Sequence, residues 1–198
     1  MRLGAALIAV SALLSGGCEA QDVVVATIDV DSGVADGAAL GPGQCRTNDQ
    51  CSATELCAKT DCLQSVGSCH KRPLLCDSIG PPTCGCDGVT YWNDCLRERS
   101  GASASSPGEC SVNVAKCNDP AASACPVGGA SCSRLVPPGR CSPDVEGACW
   151  VLPSSCPAGV PSDHWTSCGD PRTCDETCAA IRSGLPHQLA QGPGPMCH

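Results

Sequence analysis

Apolar positions cluster only once along this chain, at Leu3 to Leu14, a run of twelve between the positive start Met1-Arg2 and the small residues Ser15-Gly16-Gly17. That order of charge, apolar stretch and small residues predicts a signal sequence over residues 1–17. Twelve residues fall short of the ~20 that a helix needs to cross a bilayer, and no later segment is longer. Beyond it the patterns are short. Alternation around Val23 to Val30 is compatible with one strand, but Glu19, Asp22, Asp29, Asp31 and Asp36 without a base favour a flexible acidic tether over residues 18–44. Asp87-Gly88 predicts a tight hairpin turn with positive dihedrals that returns Val89-Thr90-Tyr91 as a strand. Thr90–Gly101 and Thr173–Gly184 each read as a short helix. Thr173 followed by Glu176 fits a capping box, and Gly101 and Gly184 fit the left-handed residue past a helix end.

Composition changes the picture, because these elements lack a core. Among 198 residues there are 21 cysteines, three Trp, one Tyr and no Phe, and Leu, Ile and Val together number only 33. Covalent closure must supply what burial cannot. One bridge across about 25 residues restricts the unfolded chain by roughly 3 kcal/mol in the entropic description. Such cysteine density belongs to an oxidising compartment, so the chain is expected to be exported. Without Arg2 the remaining charge is about −9 (−8 less one base), which disfavours a nucleic-acid partner.

Leu14-Ser15-Gly16-Gly17-Cys18 resembles a bacterial lipobox, with Ser15 where an aliphatic residue is usual. The resemblance implies lipidation of Cys18 and attachment to a membrane through that lipid alone, at an outer membrane or cell surface. Removing Cys18 leaves 20 cysteines, an even number. Ordinary cleavage, with Cys18 a spare thiol and the chain periplasmic or secreted, is the alternative.

The remaining cysteines divide into ten from Cys45 to Cys110 and ten from Cys117 to Cys197, with residues 111–116 as linker. Cys69-x6-Cys76 matches Cys149-x6-Cys156. Thr90-Tyr-Trp-Asn-Asp-Cys95-Leu-Arg-Glu-Arg-Ser-Gly101 lies without gaps on Thr173-Cys-Asp-Glu-Thr-Cys178-Ala-Ala-Ile-Arg-Ser-Gly184. A duplication is the reading.

Within the first repeat, Cys76-x7-Cys84-x10-Cys95 with Cys84-Gly-Cys-Asp-Gly-Val-Thr-Tyr-Trp-Asn-Asp-Cys95 resembles the Kazal-type serine protease inhibitors over residues 69–110. The resemblance implies a small disulfide-rich α+β fold, one short helix on a small antiparallel sheet, with bridges Cys76–Cys95 and Cys84–Cys110. The family's fifth cysteine is absent and Cys86 is extra, so Cys69–Cys86 is expected as a substitute. It also implies a reactive-site loop through Asp77, Ser78, Ile79 and Gly80, with Ser78 the primary specificity residue, Ser78-Ile79 the scissile-like bond, and Asn93 donating to loop carbonyls. A small Ser78 suits elastase-like or subtilisin-like proteases, where trypsin-like ones want Arg or Lys. Gly80 is expected to loosen the loop and Pro81-Pro82 to stiffen it. Residues 45–68 form a cysteine-rich leader, and 117–198 a second, degenerate Kazal-like repeat with Trp150 and Trp165 as its small core.

Enzyme chemistry needs a nucleophile with a base, paired acids or a metal cluster. His70, His164, His187 and His198 belong to no such motif, and Cys-x-x-Cys is absent. Cys174-x3-Cys178 is the remote zinc candidate. The expectation is a non-enzyme without cofactor or metal, an inhibitor of a serine protease. The alternative is a non-inhibitory surface protein that uses the same scaffold for adhesion or partner binding.

Overall fold

With so little apolar bulk, the chain folds into pieces no longer than a bridge can hold. The computed structural model describes residues 39–118, 125–158 and 162–190. Cys18, the signal sequence and Val23 to Val30 lie outside the described residues. The fold is small, disulfide-rich and mostly sheet, with thirteen strands and two α-helices among the described residues. Nine disulfides join described cysteines, a number that fits an exported protein, since cytosolic reductants would open them. Among the described residues no helix is long and apolar enough to cross a membrane.

The first repeat opens with β1 (Gln44–Cys45), β2 (Glu55–Ala58) and β3 (Gly67–Lys71), in the antiparallel order β1-β3-β2. Cys45–Cys57 and Cys51–Cys69 close this sheet. Next come β4 (Thr83–Gly85), β5 (Thr90–Tyr91), α1 (Asp94–Ser100) and β6 (Ala104–Pro107). They form the antiparallel order β6-β4-β5 with α1 against β4 and β5. Cys76–Cys95 and Cys84–Cys110 are both present.

Cys69 does not pair with Cys86. Cys69 sits in the middle of β3 opposite Cys57, within reach of Cys51 at a Cα separation of 5.5 Å. Cys86, in the hairpin turn, bonds Cys62 instead. That bridge ties the two halves of the repeat together, helped by Asn48, whose Nδ2 donates to the Gly101 carbonyl while its Oδ1 accepts from Cys57 N–H. The boundary expected between residues 68 and 69 therefore falls inside β3.

The second repeat has the same plan. Strands β7 (Lys116–Cys117), β8 (Ser131–Ser133), β9 (Leu135–Val136) and β10 (Gly147–Val151) precede β11 (His164–Ser167), β12 (Asp175–Glu176), α2 (Thr177–Ser183) and β13 (His187–Leu189). β10 lies between β7 and β8 as β3 lies between β1 and β2, and β11 lies between β12 and β13 as β4 lies between β5 and β6. β9 adds a parallel partner to β13. The registers agree residue by residue. Cys45 faces Gly67 and Cys57 faces Cys69; Cys117 faces Gly147 and Cys132 faces Cys149. Both glycines are required by close approach, since a Cβ would lie 2.3 Å from the Ala58 carbonyl oxygen at Gly67 and 2.6 Å from that of Ser133 at Gly147. Bridges Cys117–Cys132, Cys125–Cys149 and Cys156–Cys178 repeat the first pattern, and Cys141–Cys168 answers Cys62–Cys86.

The repeats share one core. β5 pairs in parallel with β10, Thr90 opposite Trp150 and Tyr91 opposite Val151. Val89, Tyr91 and Leu96 are buried in one cluster with Cys117, Cys132 and Cys149, each large side chain contributing about 1.5–3 kcal/mol on burial. Residues 111–116 are consequently no free linker: Ala115 N–H donates to the Gly88 carbonyl at 2.9 Å and its own carbonyl accepts from Cys149 N–H at 2.8 Å. Trp150 packs on Trp92 of the first repeat and is not part of a separate core; Trp165 is only half-buried.

Candidate functional site

Asn93 lies where extended backbone (φ −155°, ψ 172°) turns into α1, and it is buried. Its Oδ1 accepts from Leu96 N–H at 2.9 Å, capping the helix start. Its Nδ2 donates to the carbonyls of Asp77 and Ile79, each at 3.0 Å. An amide alone among side chains of this size supplies both an acceptor for the helix and two donors for the loop. The helix begins at Asp94, later than expected, because Thr90 and Tyr91 are spent on β5; Gly101 ends it in the left-handed region.

The turn into β5 is closed by Gly88 N–H on the Gly85 carbonyl at 3.0 Å. Only Gly88 there has positive φ, at 75°; Asp87 does not. Asp87 works through its carboxylate, accepting from Val89 N–H and, at 2.6 Å, from the Tyr91 hydroxyl. Burial, followed by that bond and the charge of Asp87, holds the Tyr91 hydroxyl well above its ordinary range.

The loop itself runs from Cys76, anchored to Cys95, to Thr83, the first residue of β4. Exposure alternates from Leu75, just before it, to Ile79: Leu75, Asp77 and Ile79 face solvent, Cys76 and Ser78 are half-buried. Asp77 Oδ1 also accepts from Ile79 N–H at 3.4 Å. Gly80 sits in the loop in a conformation suited to glycine. Its φ of 130° is one that side chains resist, and a Cβ there would lie 3.1 Å from Asn93 Cβ.

One side chain at the loop escapes the sequence reading. Trp92 Nε1–H donates to the Ser78 carbonyl at 2.9 Å. Between Tyr91, turned into the core, and Asn93, turned to the loop, its position gave a signal: a rare aromatic inside the motif that carries the resemblance.

Among the described residues, the second repeat has no counterpart to Asn93's double donation. α2 spans Thr177–Ser183, matching α1 in the gapless alignment, but the position of Asn93 is taken by Glu176. A carboxylate donates nothing, and Glu176 makes no side-chain cap. Thr173 does not form the expected capping box either. It lies before the helix, its Oγ1 accepting from Ser167 N–H and donating to the Asp170 carbonyl.

His187 is buried with Nδ1 against the Leu185 carbonyl and Nε2 against Asp175 Oδ2 at 3.1 Å, so both ring nitrogens are occupied and neither meets a nucleophile. Cys174 and Cys178 are disulfide-bonded and offer no thiolate. The sulfur clusters Cys45/Cys51/Cys69 and Cys117/Cys125/Cys149 are neighbouring bridges in equivalent places of the two repeats. What the arrangement offers is a loop tied at Cys76 to Cys95 and held by Asn93 at two carbonyls, with Asp77 and Ile79 exposed. No family model matches the chain.

Proposed function

We propose that this chain is an exported, non-catalytic inhibitor of elastase-like or subtilisin-like serine proteases, presenting Cys76 to Thr83 as a substrate-like loop on a Kazal-like scaffold. The observation that carries the reading is the double hydrogen bond from Asn93 to the carbonyls on either side of Ser78. With the bridge Cys76–Cys95, it fixes the loop before any partner arrives, so little conformational entropy is left to lose on docking. The fully oxidised chain should inhibit an elastase-like or subtilisin-like protease, and Ser78→Arg should redirect it to trypsin-like ones. Failure of both forms across such a panel removes the reading.

A second reading has its own observation. The Ser78 carbonyl, which a protease must engage, already accepts from Trp92. A surface protein binding a partner through the same scaffold needs no free carbonyl there. It predicts that changes at Ser78 and Ile79 leave partner binding untouched.

Attachment to the cell surface by a lipid on Cys18 completes the proposal. Intact mass of the mature N-terminus checks it, and an unmodified thiol at Cys18 rules it out.

A further inference from the structure

Trp92 connects the loop to the second repeat. Trp92 is tied to β10 by its backbone N–H, which donates to the Val151 carbonyl at 3.0 Å. Its ring rests on Trp150, with centroids 6.3 Å apart and planes tilted by 57°. Trp150 is 3% exposed, a fixed support. From there the indole N–H caps the Ser78 carbonyl.

We infer that Trp92, braced by the second repeat, is a positioning residue that keeps the Ser78 carbonyl closed against the scaffold, so that a protease docking at Ser78-Ile79 has to displace it. The inference rests on the inhibitor reading and assigns the second repeat a part in it. In acyl transfer the carbonyl oxygen at the attacked bond is held by donors of the protease's oxyanion hole. Here that oxygen is already occupied. The carbonyls of Asp77 and Ile79, held by Asn93, keep the loop's path whether or not the indole stays. A groove of about 560 Å³ opens beside the ring, bordered by Gly80, Pro82 and Trp150, and gives the displaced indole room.

The test is Trp92→Phe in the full oxidised chain, which keeps a ring on Trp150 and removes only the donor. Inhibition of the responsive protease should tighten by about three- to tenfold, the range that one neutral hydrogen bond supports. Unchanged or weakened inhibition overturns the inference while leaving the inhibitor reading intact. A second measurement is independent of any protease: hydrogen exchange at the Trp92 indole N–H. It should be protected in the parent chain and lose protection in Trp150→Leu, while the indole of Trp165, bonded to Thr177 Oγ1 at 3.0 Å, keeps its protection. Fast exchange at Trp92 in the parent chain also overturns the inference. If Trp150→Leu fails to fold, seen as loss of Trp165 protection, Trp150→Phe takes its place. Absence of inhibition by every form removes the inhibitor reading, and the exchange measurement still decides whether the carbonyl is capped.

Discussion

The two repeats have the same strand order and equivalent bridges, yet among the described residues only the first shows a loop held by side-chain donors. The difference sits in a handful of side chains on a shared backbone. Where the first repeat has Tyr91-Trp92-Asn93, the second has Cys174-Asp175-Glu176. Tyr91 fills the common core and bonds Asp87, Trp92 holds Ser78, and Asn93 holds Asp77 and Ile79. Their counterparts instead make a disulfide, an ion pair of Asp175 with His187 when that ring is protonated, and an uncapped helix start. Bridges thus preserve a fold through side-chain change, whereas a presented loop depends on donors that a single exchange removes.

The largest test of this contrast is to open equivalent bridges. Replacing Cys76 and Cys95 together by Ser, or Cys156 and Cys178 together, should destabilise the chain by about 3 kcal/mol in either case. Only the first pair should abolish inhibition; parallel denaturant melts and inhibition assays would show it, and equal loss of inhibition from both would contradict the division of labour. Next in size is Asn93→Asp, which retains the acceptor for Leu96 N–H and deletes the donors. Helix content by circular dichroism should hold, stability should fall by about 1–3 kcal/mol, and inhibition should weaken roughly tenfold or more. Inhibition equal to the parent would show that Asn93 is a helix cap and nothing else.

The smallest effect is spectroscopic and specific to the first repeat, since Tyr91 is the only tyrosine. Its hydroxyl is held above the ordinary range by burial and by Asp87. The folded state therefore keeps this proton where the unfolded state, near an ordinary value of about 10, releases it. The resulting stability is intact below that pH and declines as pH rises beyond it. Tyrosinate absorbance should be missing until the chain unfolds, and Asp87→Asn should bring it to lower pH. A titration at the ordinary position in the parent chain would mean that the Tyr91–Asp87 bond does not persist in solution.

The sequence by itself determined the duplication, from a gapless cysteine register, and the helix ends, from the glycines Gly101 and Gly184 past them. The bridges Cys76–Cys95 and Cys84–Cys110 and the placing of Asn93 at the loop were legible only as what the resemblance of residues 69–110 to the Kazal-type inhibitors implies. Tertiary structure alone decided the partners of Cys69 and Cys86, because bridging needs Cα atoms about 5–6 Å apart, and strand pairing sets which cysteines come that close. It likewise merged the repeats through β5 and β10, packed residues 111–116 between them, and placed Gly80 at a positive φ. The contact of Trp92 with Ser78 belongs here too. No spacing encodes it, since the indole is aimed by a strand from the other repeat, contributed some sixty residues later in the chain.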